Sequence, residues 1–140
     1  MEISEILPQL FLGPVQHPRE KTAEFINLNI DIIINCCDDY THKHSDTYII
    51  ENYPINDGFD ATISDFLDPI AESINQHMCH NKRVYVHCIQ GRSRSVSILI
   101  YYLIKFKNMS FDEAFEKIQK NRPIILPNPN FILEIKKKII

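Results

Sequence analysis

Val84-Tyr85-Val86-His87-Cys88-Ile89-Gln90-Gly91-Arg92-Ser93-Arg94-Ser95 runs from a β-branched strand, across a short loop, into a helix that continues through Ile98-Leu99-Ile100. A loop in that position wraps its backbone N–H groups around an anion, and the helix that follows aims its positive end at the same point. Gly91 suits a loop that needs unusual dihedrals or a close approach of backbone to ligand. Cys88 stands at the centre of this ring of donors. Such a field favours the thiolate, so the thiol pKa is expected well below the ordinary value of about 8.5. A thiolate at neutral pH is a strong nucleophile. Arg94 returns after one loop, and its planar fork suits two oxygens of a phosphoryl group. Ser95 follows directly and is expected to hydrogen-bond the sulfur, steadying it as a leaving group. His87 is expected to orient the loop rather than to act as acid or base. A Cys after a β-branched strand is more often a buried structural residue. The His, Gly, Arg and Ser around Cys88 reverse that reading.

Working outward, strand and helix patterns alternate, which predicts an α/β fold. Leu10-Phe11-Leu12 reads as a strand closed by Gly13-Pro14, and Ile32-Ile33-Ile34 as a buried central strand. Apolar spacing predicts a helix over 18–29 with Ala23, Ile26 and Ile30 on its inner side. Residues 38–46 are polar and read as a loop, and 48–55 as a strand. Asn56-Asp57-Gly58 carries turn chemistry. Thr62 with Asp65 predicts a helix start, the helix running to about Cys79 and burying Phe66, Ile70 and Ile74. Ser110 with Glu113 is a second capping-box pattern, opening a helix with Phe111, Ala114, Phe115 and Ile118 that Pro123 stops. Pro127 and Pro129 mark a turn before a last helix carrying Phe131, Ile132, Ile135 and Ile139.

The 140 residues suit one compact domain over 1–140, with 44% apolar and 24% charged side chains. A net charge of −3 supplies no global basic field for nucleic acid or membrane. Any anionic substrate must be drawn in by a local patch. The longest apolar run, Ile98 to Ile104, is far short of the roughly 20 residues that span a bilayer. Glu2 and Glu5 stand where a secretory signal would be basic. Cys36, Cys37, Cys79 and Cys88 lack a disulfide-scaffold spacing, so reduced thiols in an intracellular, cytoplasmic setting are expected.

The segment from His87 to Ser95 resembles the Cys-x5-Arg signature of the protein tyrosine phosphatases, and its Ser-Arg-Ser ending resembles their dual-specificity branch. The resemblance covers almost the whole chain. Ile6-Leu7-Pro8-Gln9-Leu10-Phe11-Leu12-Gly13 resembles that branch's opening strand, Ile33-Ile34-Asn35 its central strand, and Pro127-Asn128-Pro129-Asn130-Phe131 its Pro-Asn-x-x-Phe segment. The chain is similar in its compactness to poxviral members. The resemblance implies a central, mostly parallel sheet of four to five strands flanked by helices. It also implies phosphomonoester hydrolysis through a cysteinyl-phosphate. Cys88 would be the nucleophile, and the loop residues His87, Ile89, Gln90, Gly91, Arg92, Ser93 and Arg94 would hold the phosphate. No metal or other cofactor is expected, because loop N–H groups and Arg94 supply the charge stabilisation.

The family's general acid is an Asp on the loop after a strand ahead of the Cys; Asp57, 31 residues before Cys88, is the choice, with Asp60 as fallback. Some cysteine phosphatases carry a second Cys beside the catalytic loop that forms a disulfide with the nucleophile. Cys37 is the candidate, against two packed thiols at a strand end. Arg92 reads either as an exposed loop side chain or as an attractor of acidic phosphosubstrates. His77, Cys79 and His80 crowd a helix end without the second ligand pair of a zinc site, so a structural role is expected. His42 and His44 are expected on a solvated loop. The larger tyrosine-specific relatives carry pocket-deepening segments for which this chain is too short, so phosphoserine and phosphothreonine are expected substrates beside phosphotyrosine. Phosphorylated proteins are the expected partners. A monomer is preferred, since the first strand leaves no room for an added N-terminal helix. An RNA 5′-triphosphatase, a phosphoinositide phosphatase and a catalytically dead phosphate-binding module are the alternatives. Gln90 and Ser93 stand where the RNA enzymes usually carry His and Asn, and Ile89 and Gln90 lack the charge usual in the lipid enzymes.

Overall fold

A computed structural model describes all 140 residues. Its centre is β5 (Val84–His87), buried at every position. β2 (Leu10–Gly13) pairs with it in parallel on one side and β3 (Ile32–Asn35) on the other. β4 (Ile49–Asn52) extends the sheet parallel to β3, and β1 (Ser4–Leu7) closes the opposite edge antiparallel to β2. The order is β1-β2-β5-β3-β4. The expected α/β fold with a mostly parallel sheet is the observed one.

Side chains alternate across the sheet, as a two-residue period requires. Leu10, Leu12, Ile32, Ile34, Val84 and Val86 face the larger core, while Phe11, Ile33 and Tyr85 face a smaller one with Phe25 and Ile30. The larger core is covered by α3 (Ser64–Cys79), α4 (Arg94–Lys107), α5 (Phe111–Asn121) and α6 (Pro129–Lys138). α4 is apolar nearly all round, and every residue from Arg94 to Leu103 is buried. The predicted capping box on Ser110 and Glu113 is formed in full. No helix is long and apolar enough to cross a membrane.

Five expectations are corrected. The opening segment 6–13 is a hairpin of two strands, reversed at Gln9, which takes a left-handed φ of 73°. The helix expected over 18–29 is two short ones, α1 (Gln16–Glu20) and α2 (Ala23–Asn27). Lys21 turns left-handed after α1, and the Thr22 hydroxyl caps the N–H of Phe25 to start α2. Phe25 then enters the core, leaving Ala23 and Ile26 exposed. The strand expected over 48–55 is shorter, ending at Asn52: Tyr53 N–H makes the last ladder bond to the Asn35 carbonyl (2.8 Å), and Pro54 has no N–H to continue it. At the start of α3, Thr62 does not cap. Glu134 of α6 does so instead: its Oε1 accepts from Ile63 N–H (3.1 Å), Ser64 N–H (2.9 Å), Ser64 Oγ (2.6 Å) and Thr62 Oγ (2.5 Å). Leu67, rather than the half-buried Phe66, joins Ile70 and Ile74 in the core.

The register matters most for function. Gly13, His87, Asn35 and Asn52 lie side by side in one row at the carboxyl edge of the sheet. The loops leaving β2, β5 and β3 therefore emerge together. β5 also lies where the strand order reverses, the place where open α/β sheets bind ligands.

Candidate active site

The loop after β5 is held from outside. The Ile89 carbonyl accepts from Val15 N–H (3.0 Å) and the Arg92 carbonyl from Leu126 N–H (2.8 Å). The two carbonyls between them go to one side chain: Arg122 donates Nη2–H to Gln90 (2.9 Å) and Nε–H to Gly91 (2.7 Å). A trans peptide points its N–H opposite to its carbonyl. Four consecutive outward carbonyls thus turn the N–H groups of Gln90, Gly91, Arg92 and Ser93 inward. Gly91 makes this possible with a φ of +65°, and a Cβ there would meet the Gly13 carbonyl at 2.7 Å.

Inside the loop sits Cys88, 3% exposed, its sulfur 3.1 Å from the Ser95 hydroxyl. Burial pushes the thiol pKa up. The Ser95 hydroxyl and N–H, the Ser93 N–H and the Arg94 charge outweigh it, and the net shift is downward. The N-terminus of α4 has no side-chain cap of its own. Ser93 is occupied elsewhere, donating its hydroxyl to Asp57 Oδ1 (3.0 Å) and accepting from Asn128 N–H (2.9 Å). The first N–H groups of α4 are left for the sulfur and for whatever enters.

Arg94 is 6% exposed. Its Nη1 donates to Asp39 (2.9 Å), to the Ile55 carbonyl (3.1 Å) and to Asp38 (3.3 Å). Its Nε is buried without any hydrogen-bond partner. A buried unpaired donor on a cation costs several kcal/mol unless something meets it, and Arg94 is among the residues lining the cavity that holds Cys88. That cavity, about 250 Å³, is completed by Asp39, Asp57, Ile89, Gln90, Arg92 and Ser93. Asp57 reaches it on an exposed loop, with Oδ1 also accepting from Asn128 Nδ2 (3.3 Å). Asp60 does not line it. Arg92 is tied by Nε to the Ile124 carbonyl at 2.9 Å and stands at the rim.

His87 lies behind the loop, fully buried. Its Nδ1 is 2.9 Å from the Cys88 carbonyl, which only accepts, so Nδ1 carries the proton. Its Nε2 then accepts from His42 Nε2–H at 2.7 Å. Burial, with smaller contributions from His42 and Arg94, drops its pKa to about 3, keeping the ring neutral. His42 is therefore not merely part of a solvated loop, whereas His44 is largely exposed. His77 binds Glu51 at 2.7 Å, well away from the loop in sequence and role. Cys36 and Cys37 are both buried at the end of β3, and burial, reinforced by nearby Cys88, pushes the Cys37 thiol up to about 12. All four cysteines are free.

Sequence reasoning gave no site role to Arg122, Asn128, His42 or the Asp38–Asp39 pair. Asn128 carried a signal, since it stands in the Pro-Asn-x-x-Phe segment, and so did the acidic pair, which closely follows the β-branched strand at Ile32-Ile33-Ile34.

The phosphate-loop fold just described defines a cysteine-phosphatase scaffold. The family model described as "Dual specificity phosphatase, catalytic domain" matches residues 10–138, and the chain belongs to that family. It is 34% identical over 128 residues to human dual specificity protein phosphatase 1, covering 91% of this chain and 35% of that protein. It is 36% identical over 144 residues to human dual specificity protein phosphatase 16, covering 97% of this chain and 21% of that protein. The chain thus spans about a third or less of the length of these relatives. Among solved structures, the human tyrosine phosphatase-like serine/threonine/tyrosine-interacting protein superposes with a TM-score of 0.87 at 26% identity, covering 97% of this chain and 94% of that one. A tyrosine phosphatase from the Orf virus superposes at 0.84 with 16% identity, covering 99% and 86%, a likeness of fold.

Proposed function

We propose that this chain hydrolyses phosphotyrosine and phosphoserine or phosphothreonine in proteins, through a cysteinyl-phosphate on Cys88. Family membership supports the reaction class. The observation that carries the residue assignment is the unpaired Arg94 Nε, buried beside a thiol whose pKa is lowered, inside a ring of inward N–H groups. A tetrahedral dianion supplies the missing acceptor.

In the first step the Cys88 thiolate attacks phosphorus; the S–P bond forms as the P–O bond to the substrate side chain breaks. Asp57 gives its proton to the departing oxygen. Its Oδ1 already accepts from Ser93 and Asn128, so Oδ2 is the oxygen free to carry that proton. In the second step water attacks phosphorus, Asp57 takes the proton back, and the S–P bond breaks. The Ser95 hydroxyl supports the sulfur as it leaves. Arg94 and the loop N–H groups hold the equatorial oxygens in both steps.

Cys37 sits two residues beyond Asn35, in register with His87 just before the nucleophile. Peroxide would oxidise Cys88 to the sulfenic acid, and attack by the Cys37 sulfur would release water and leave a Cys37–Cys88 disulfide. Mass spectrometry after mild peroxide treatment tests this; no crosslink removes the idea. Free thiols support a reducing, cytoplasmic setting, and we infer a monomer acting on phosphoproteins, without nucleic acid or membrane as substrate.

The deciding experiment assays phosphotyrosine and phosphothreonine peptides, triphosphate-ended RNA and inositol lipids side by side with chelator present. Peptide hydrolysis lost in Cys88→Ser supports the proposal. Turnover confined to RNA or lipid overturns it.

A further inference from the structure

Next to the catalytic cavity lies a second depression of about 480 Å³, nearly twice its volume. Asp57 and Ser93 line both, so the two adjoin at these side chains. Most of the exposed surface of the second is carbon, with Phe59, Leu126, Pro127 and Pro129 among its lining residues. Phe59 is 98% exposed and Leu126 69% exposed, with Ile124 beside them at 43%. An aromatic ring wholly in water contributes nothing to folding, and grouped exposed apolar residues mark a surface that binds something.

The backbone beneath this rim is fixed. Asn130 Nδ2–H donates to the Phe59 carbonyl at 2.7 Å, and Asn128 Nδ2–H to the Gly58 carbonyl at 3.0 Å. The Gly58 N–H is in turn held by Asn56 Oδ1 at 2.7 Å. The Phe59 ring thus projects from a pinned loop, and little order has to be imposed when a ligand arrives.

We propose that this groove binds an apolar side chain adjacent to the phosphorylated residue of the protein substrate, with Phe59 and Leu126 as its specificity-determining walls. The proposal rests on the phosphatase reading above and narrows it to a sequence preference. Its occupant is set by position: a chain whose phosphoryl group sits over Cys88 and which runs on past Asp57 and Ser93 brings its neighbouring side chain onto carbon. An anionic neighbour gains no partner there, because no cation lines the groove and the Nδ2 groups of Asn128 and Asn130 already donate to the loop.

The test uses phosphotyrosine peptides of otherwise Ala and Ser composition, with Leu placed in turn at each of the two positions on either side. Wild-type protein is expected to show about tenfold higher kcat/KM for Leu over Ser at one position or two adjacent ones, the discrimination a part-buried aliphatic side chain provides. Phe59→Ala and Leu126→Ala are each expected to reduce that ratio to about twofold. The same peptides are titrated against Cys88→Ser by fluorescence anisotropy, which reads the groove without turnover. Equal kcat/KM at every position in wild type, or a ratio unchanged in both variants, overturns the proposal. Absent hydrolysis with the Leu preference retained in Cys88→Ser binding refutes the catalytic reading and leaves the groove standing.

Discussion

Arg122 is the residue whose replacement tests the loop geometry most directly. It is 3% exposed, and its guanidinium bonds are to carbonyls, a hydroxyl and a thioether rather than to a carboxylate. The guanidinium meets the carbonyls of Gly91, Gln90 and Glu2 (2.7, 2.9 and 2.6 Å) and the Ser4 hydroxyl (3.1 Å). Arg122→Met keeps most of the volume and removes every one of these donors. Each buried carbonyl stripped of its partner costs about 1–3 kcal/mol, while release of a desolvated cation returns several kcal/mol. A net loss of about 3 kcal/mol, or a fall in Tm of about 10 °C, is expected. The effect on activity should be larger than stability alone explains. Freed Gln90 and Gly91 carbonyls can turn toward the cavity, and each turned peptide withdraws an inward N–H. Loss of one such donor in comparable sites costs about 10²–10³ in rate. We expect kcat/KM for an aryl phosphate to fall about 100-fold per folded molecule, measured well below Tm with the folded fraction fixed by circular dichroism. The pH midpoint of Cys88 alkylation by iodoacetate should rise, because the N–H field holding the thiolate weakens. Arg122→Lys, with one ammonium for several acceptors, should fall between. If Arg122→Met lowers Tm yet leaves kcat/KM and the alkylation midpoint at wild-type values, the outward tethering does not hold the loop in its binding form.

Three further substitutions separate other roles. Asp57→Asn should slow hydrolysis of phosphothreonine peptides about 10²–10³-fold and affect an aryl phosphate with an acidic leaving group far less; equal losses on both would remove Asp57 as the acid. Ser95→Ala should raise the pH midpoint of Cys88 alkylation and slow the second step, so that rapid-quench experiments trap more phosphoenzyme; an unchanged midpoint would show that the 3.1 Å contact does not stabilise the thiolate. Glu134→Ala should destabilise by about 1–2 kcal/mol at pH 7, since its carboxylate caps α3 from α6. Burial raises the Glu134 pKa, but bonds from Ser64, Thr62 and Ile63 outweigh it, and the folded value is depressed. That stability is present above the unfolded carboxylate pKa and disappears as pH falls through the folded one; urea unfolding of wild type and variant should converge as pH falls through that depressed value, and a constant gap across pH would argue against the charged cap.

How much of this was readable depended on whether the deciding contacts are local. Val84 to Ser95 declares itself because strand, loop and helix are contiguous, and the spacing of Cys88 and Arg94 is the loop's own length. The capping box on Ser110 is equally local, a contact three residues long. The end of β4 was misjudged because it is set by its partner: β3 stops at Asn35, whose side chain takes the Cys37 N–H, and that limit is visible only once the two strands are paired. Glu134 caps a helix 70 residues away, and Thr62 looked like the cap because nothing nearby says it is outcompeted. Arg122 follows the same logic at the site itself. In sequence it is one more basic residue at a helix end before Pro123, where a solvated charge is the ordinary reading. Only folding brings it against the loop, 31 residues from Gly91 and 118 from Ser4. Residues that touch phosphate must sit in a motif, because the loop that wraps the anion is short. Residues that shape the loop need only reach its back, and any element packed there can supply them. The candidate site and its family are therefore legible in the sequence, whereas the contacts that hold the loop in shape are properties of the packed molecule.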